Sequence, residues 1–182
     1  MGLERYGLSY IVPWQVMSLT RIEQFKNDSR QAGINRALEL KIATNDSGLV
    51  VRPPRANLDV GIGTVGEDEW GFNLAAGLNA AIINVPIPTN EIWVWYAIDQ
   101  WDAAPQATLV TFRTAPVGGT TKMQVDLQDC RGFPFCAGML GEPVVYDRSE
   151  RMVVDIQSDA AHVPEYIKFM GFIITTRGTV LS

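Results

Sequence analysis

A chain of 182 residues, 47% apolar and 19% charged, is long enough for one domain with a full core and too apolar to be disordered. Its longest apolar runs, around Ile92–Ile98 and Met170–Ile174, fall far short of a membrane span, and no apolar secretory segment follows Glu4 and Arg5 at the N-terminus. Net charge is −5, with eight Lys/Arg against five Asp/Glu in residues 1–55 and seven against fifteen in 56–182. An acidic body excludes specific nucleic-acid reading, and leaves only the N-terminal segment (Arg21, Lys26, Arg30, Arg36, Lys41) for non-specific contact.

In chain order, residues 1–12 are short and mixed and end at Pro13. The spacing of Trp14, Met17, Leu19, Ile22 and Phe25 predicts one side of a helix, with Pro13 at its start and Asn27-Asp28-Ser29 at its end. Its apolar stripe must dock on the body or on a neighbour. Leu38, Leu40 and Ile42 alternate with Glu39 and Lys41 and predict a strand over 37–43; Asn45-Asp46-Ser47-Gly48 is a turn, and Leu49–Arg52 returns as a strand. Pro53-Pro54 interrupts pairing. Leu58, Val60 and Ile62 read as a further strand, residues 72–81 fit either a short helix or a loop, and Ile82–Val85 is extended.

Glu91 to Trp101, EIWVWYAIDQW, organises the rest. Strict alternation puts Ile92, Val94, Tyr96 and Ile98 on one side and Trp93, Trp95 and Ala97 on the other. Both sides are apolar, so one packs into a sandwich core and the other needs a second layer, from the chain's own arm or from a neighbouring subunit. Further strands are expected at Thr108–Thr114, Lys122–Gln128, Pro143–Tyr146, Arg151–Gln157 and Tyr166–Thr176, with loop over 129–143. Nine or ten strands with turn chemistry between them, no repeat and no linker predict an all-β fold. The expected architecture is an antiparallel β-sandwich, a single jelly roll over residues 37–182, preceded by a partly helical arm over 1–36.

Motifs for chemistry are sparse. Gly61-Ile62-Gly63-Thr64-Val65-Gly66 spells G-x-G-x-x-G, but Glu67, Asp68 and Glu69 follow at once and would repel a pyrophosphate, and no βαβ pattern surrounds it. That acidic run, with Asp59, lacks the alternation that wraps calcium. Cys130 and Cys136 have neither zinc-knuckle spacing nor a second ligand pair; they are read as free thiols, or as a small-loop disulfide under oxidising conditions. His162 is the only histidine, which argues against a multi-histidine metal centre and against a Ser or Cys nucleophile, and no serine sits in a G-x-S-x-G elbow. No catalytic, cofactor-binding or metal residues are therefore expected, and the chain is expected not to be an enzyme. Asp99 and Asp102, close in sequence to Trp93, Trp95 and Trp101, are the best pair for a carbohydrate surface or for glycoside hydrolysis. The tryptophans suit a core or a subunit interface, where aromatics are enriched, better than a sugar surface. Trp14, Phe25, Trp93, Trp95 and Trp101 are the expected interface residues.

The C-terminal block GEPVVYDRSERMVVDIQSD with EYIKFMGFIITTRG, and EIWVWYAIDQW upstream, resembles bacteriophage virion structural proteins, nearest to small jelly-roll capsid or head-decoration proteins. The resemblance covers roughly residues 86–182 and rests on strand order and the closing Gly-Phe-hydrophobic-Arg-Gly pattern. It implies a shell component located in the virion, assembled in the host cytoplasm, that self-associates and contacts other virion proteins. It carries over no catalytic residues. A carbohydrate-binding module such as a receptor-binding component, using Trp95, Trp101, Asp99 and Asp102, is the alternative.

Overall fold

The computed structural model describes residues 8–63, 70–102, 104–128 and 136–179. Two short strands, β1 (Leu8–Tyr10) and β2 (Val12–Pro13), lead into a 3-10 turn over Trp14–Val16 and then the single long helix α1 (Leu19–Glu39). After it come β3 (Leu49–Arg52), β4 (Gly71–Leu74), β5 (Gly77–Pro86), β6 (Glu91–Gln100), β7 (Ala107–Arg113), β8 (Thr121–Asp126), β9 (Cys136–Tyr146), β10 (Arg151–Ser158) and β11 (His162–Thr176). They form two sheets, in the orders β1-β8-β7-β10-β5 and β2-β9-β6-β11-β3, with β4 also on β11. Among the described residues every pairing is antiparallel except β1 with β8. The fold is an antiparallel β-sandwich.

Its winding is that of a jelly roll in six strands. The hairpin β7–β8 is innermost, β6 pairs β9 around it, and β5 pairs β10 outside that. Successive nested pairs fall in alternate sheets. The last strand, β11, closes onto the free side of β6.

Several local expectations are corrected. The helix begins at Ser18, whose side chain accepts from the Arg21 N–H, and runs to Glu39, so the stop at Asn27-Asp28-Ser29 and the strand over 37–43 are both wrong. Ser29 is tolerated mid-helix because its hydroxyl donates to the Phe25 carbonyl at 2.7 Å, leaving its apolar face against the body. Leu38, Leu40 and Ile42 alternate because they straddle the helix end. Lys41, at φ 56°, turns the chain there, and the Lys41 and Ile42 N–H groups donate to the Leu38 and Ala37 carbonyls. The boundary expected between residues 36 and 37 therefore falls inside α1, and β1 and β2 tie the arm into both sheets.

The strand expected at Leu58–Ile62 is a single π turn over Ala56–Val60, ended by Gly61 at φ 73°. Residues 72–81 contribute to β4 and β5 rather than to a helix, and β9 extends back through most of the expected loop over 129–143.

The sandwich core joins the inner faces of both sheets. Trp95 lies between Trp70 and Trp93, edge-to-face with each at 6.1 and 6.0 Å, and Phe169 lies 5.7 Å from Phe112 of the opposite sheet. A second cluster forms where α1 lies on the other side of β6 and β11, with Ile34 and Ala37 against Ile92, Val94 and Ile174. Gly33 sets that approach: a Cβ there would lie 2.6 Å from both Ile174 Cδ1 and Val94 Cγ2. Arg36 fixes the helix end with two bonds to Asp147 beyond β9, at 2.9 and 2.6 Å.

Both sides of β6 are thus covered within one chain. Trp93 and Trp95 are 2% and 1% exposed, which removes them as interface residues and removes the argument that β6 requires a neighbouring subunit.

Candidate functional site

Alternation along β6 breaks once, and that break makes the surface site. Trp95 pairs Gly171 and Ala97 pairs Met170, so Tyr96 is an unmatched bulge residue. Before it the odd positions Trp93 and Trp95 face the core; after it the even positions Ile98 and Gln100 are the buried ones. Had the strand stayed regular, Asp99 and Trp101 would point between the sheets. Instead they face the side where α1 begins. The bulge also separates them from Trp93 and Trp95, so the tryptophan–carboxylate set expected from sequence is split between core and surface.

On that side Asp99 and Trp101 line a cavity of about 510 Å³ with Trp14, Met17, Leu19 and Ile22. A second groove of about 270 Å³ shares Met17 and is lined by Val12, Arg21, Phe25, Asp28 and Met139. Pro13 and the 3-10 turn aim Trp14 inward, and the Ser18 cap starts α1 so that Ile22 and Phe25 follow on its lower face. The lining is unusually open for such side chains: Leu19 is 82% exposed and Trp101 50%. The Trp14 indole N–H is buried and has no acceptor among the described residues. Burial raises the Asp99 carboxyl above its ordinary range, with Lys168 on the paired strand pulling partly the other way. Trp14 and Trp101 line the first cavity and Phe25 the second groove, both near the start of α1, whereas Trp93 and Trp95 are elsewhere.

A different cluster closes the end of the sandwich; in the sequence Asp102 and His162 stand out separately and Glu165 does not. Glu165 is fully buried, and its carboxylate accepts from the Ala107 N–H at 2.7 Å, the Gln106 N–H at 3.0 Å and the Gln100 side-chain amide. His162 Nδ1 lies 3.2 Å from Glu165 Oε2, and Asp102 Oδ2 accepts from the Tyr166 N–H at 2.5 Å. The cluster pins the turn between β6 and β7 to the start of β11. Asp102 is thus engaged away from Asp99. The signal in the sequence was a buried-strand glutamate flanked by Val163-Pro164 and Ile167, a charge with no reason to sit in an apolar strand unless partnered.

The remaining motif residues give no further site. Gly61 and Gly63 hold positive φ, as turn glycines do; Thr64, Val65, Gly66 and the acidic run Glu67-Asp68-Glu69 lie outside the described residues, as do Cys130 and the Cys136 side chain. Asp59 is taken up by a paired bond with Arg52, at 2.7 and 2.6 Å, and by the Arg55 N–H. Of the arm's cations, Arg36 and Lys26 are paired with acidic neighbours. No helix among the described residues is long and apolar enough to cross a membrane.

No protein-family model matches the chain, and no curated protein matches it in sequence. Solved structures with partial likeness include the VP2 subviral particle of infectious bursal disease virus, at 10% identity over 71% of this chain and 33% of that one, TM-score 0.34. The T13 particle of the same virus gives 11% identity over 72% and 32%, TM-score 0.31. A β-porphyranase of glycoside hydrolase family 86 from Bacteroides plebeius gives 9% identity over 70% and 20%, TM-score 0.29. The chain spans about a third of the length of the two viral proteins.

Proposed function

We propose that this chain is a structural virion subunit of a bacteriophage, a shell or decoration component that self-associates and contacts other virion proteins through the surface where α1 begins. The observation that carries the reading is the open apolar groove of Trp14, Met17, Leu19 and Trp101, with Leu19 82% exposed. Scattered surface leucines need no explanation, but an exposed leucine and an exposed tryptophan gathered on one cavity with Trp14 and Met17 mark a contact surface. Specific contacts bury about 1,600 Å² in total, with aromatic anchors at their centre, and Trp14 and Trp101 supply them here. The likeness of residues 86–182 to phage virion proteins supports the same reading, and so does a jelly-roll winding. In this role the chain catalyses no reaction.

Light scattering coupled to size exclusion tests it. The wild-type chain should associate as concentration rises, and Leu19→Asp with Trp101→Asp should shift it to the monomer without lowering Tm, because both side chains are already exposed. A wild-type chain that stays monomeric at every concentration, alone and with the other virion proteins, overturns the proposal.

One observation favours a second reading. Trp101 stands beside the Asp99 carboxylate, an aromatic face and an acceptor suited to a sugar ring. Glycan-array binding lost in Trp101→Ala would establish a carbohydrate-binding module, and no binding to any glycan would remove it.

A further inference from the structure

We propose that Asp102, His162 and Glu165 form a binding site for one divalent metal ion of the zinc class, a staple between the β6–β7 turn and the start of β11. The donor atoms of the three side chains lie within 4.8 Å of one another. His162 Nδ1 and Glu165 Oε2 are 3.2 Å apart. A metal about 2.0–2.2 Å from a nitrogen and an oxygen at the tetrahedral angle separates them by roughly 3.3 Å, so this pair already has the bite of a chelate. The third ligand needs only a short swing. Asp102 is half-buried in a turn, its carboxylate held there by the Tyr166 N–H on Oδ2.

Glu165 is built as a held ligand. Its Oε1 takes the Ala107 N–H and the Gln100 amide and its Oε2 takes the Gln106 N–H at 3.0 Å, which fixes the carboxylate plane with Oε2 also facing His162. Ligating carboxylates are usually fixed in this way by groups behind them.

Charge gives an independent reason. Two carboxylates meet here, and among the described residues no lysine or arginine pairs with either. His162 is the one partner that could become cationic. Burying the Glu165 carboxylate beside a second one without a counter-charge is costly, and a divalent ion supplies that charge while replacing the imidazole–carboxylate contact by two metal bonds. A second deficit lies in the same network. Gln100 is 1% exposed, its amide nitrogen is on Glu165, and its oxygen has no donor among the described residues. One imidazole and two carboxylates suit zinc, cobalt or manganese rather than the all-oxygen shell of calcium, and three protein ligands leave a position for water.

Calorimetric titration of chelator-treated full-length protein with zinc, beside thermal denaturation, decides the matter. One site per chain is expected, with Tm raised by roughly 5–10 °C at a hundredfold excess over Kd. His162→Ala, a half-exposed position, should abolish that site and leave the metal-free Tm nearly unchanged, and Asp102→Asn should weaken it. A Cys130→Ser, Cys136→Ser double variant should bind as wild type. Absence of saturable binding, binding that survives His162→Ala, or binding lost in the cysteine variant would each overturn the assignment.

Discussion

On the inner side of β6, Trp93 and Trp95 meet Trp70 and Phe169 in a packed set of large rings; on the outer side, Ile92 and Val94 lie under a helix whose contact residues are Gly33, Ile34 and Ala37. The inner side closes by filling volume between two sheets. The outer side closes by bringing a backbone near, which demands small residues on the helix and aliphatic ones on the sheet. One strand, apolar on both sides, thus finds two kinds of cover in its own chain. Two-sided apolarity in a strand signals a three-layer arrangement and carries no information about whether the third layer is self or neighbour.

The largest expected effect breaks the inner side. Trp95→Ala should cost about 3–5 kcal/mol, because the ring is 1% exposed and the surrounding aromatics cannot collapse into the space. Trp95→Phe should cost clearly less: it keeps most of the ring and removes an indole N–H that has no acceptor among the described residues. Urea unfolding followed by Trp fluorescence and by far-UV dichroism measures both. Gly171 belongs to the same arrangement, since a Cβ there would fall on the Val94 carbonyl and 2.8 Å from Trp95 Cε3.

How far the sequence carried this comparison can be judged residue by residue. The period-two runs of β6, β7, β10 and β11 were legible because burial on both sides leaves an unbroken apolar text bounded by Pro, Gly and Asp. The bulge at Tyr96 was not, because nothing in IWVWYAID distinguishes a regular strand from one that skips a residue; the partner strand decides it. Helix α1 was half read. Its first turns carry a stripe, but Asn27, Asp28 and Ser29 imitate a stop, and its docked half, Ser29-Gly33-Ala37, is made of residues too small to register as apolar. Trp14, Phe25 and Trp101 were reached one by one through their aromatic content, and Glu165 with Asp102 and His162 depends on a fold that brings positions 102 and 165 together.

The next expected effect breaks the outer side alone. Gly33→Val places a branched side chain where Ile174 and Val94 already stand, and should cost about 1–3 kcal/mol by forcing α1 away from the sheet. Limited proteolysis should then cut within residues 19–39 while the sandwich stays intact, with the Trp fluorescence of the inner core unchanged. Loss of the core signal together with the helix would mean that the two sides are one cooperative unit.

The smallest effect sharpens the comparison at the helix end, where an ion pair adds to the packing of Ile34 and Ala37. Arg36 and Asp147 form a paired bond in which the guanidinium draws the Asp147 carboxyl below its ordinary range, ahead of the opposing effect of burial. A carboxyl whose folded value lies below its unfolded value of about 3.9 contributes stability that is fully present above that pH and is lost as pH falls through the folded value. Both partners are part-exposed, so Asp147→Asn should cost no more than about 1 kcal/mol at neutral pH and less at high salt. Hydrogen exchange of the last turns of α1 should therefore quicken in the wild type only once the solution is more acidic than about pH 4, whereas in Asp147→Asn it should be quick already at neutral pH and lack that acid step. The inner core should not respond to Asp147→Asn, because Arg36 and Asp147 take no part in the Trp70–Trp95–Phe169 contacts. An acid step that persists unchanged in Asp147→Asn would show that the Arg36–Asp147 pair does not hold the helix end and leave the outer side held by packing at Gly33, Ile34 and Ala37.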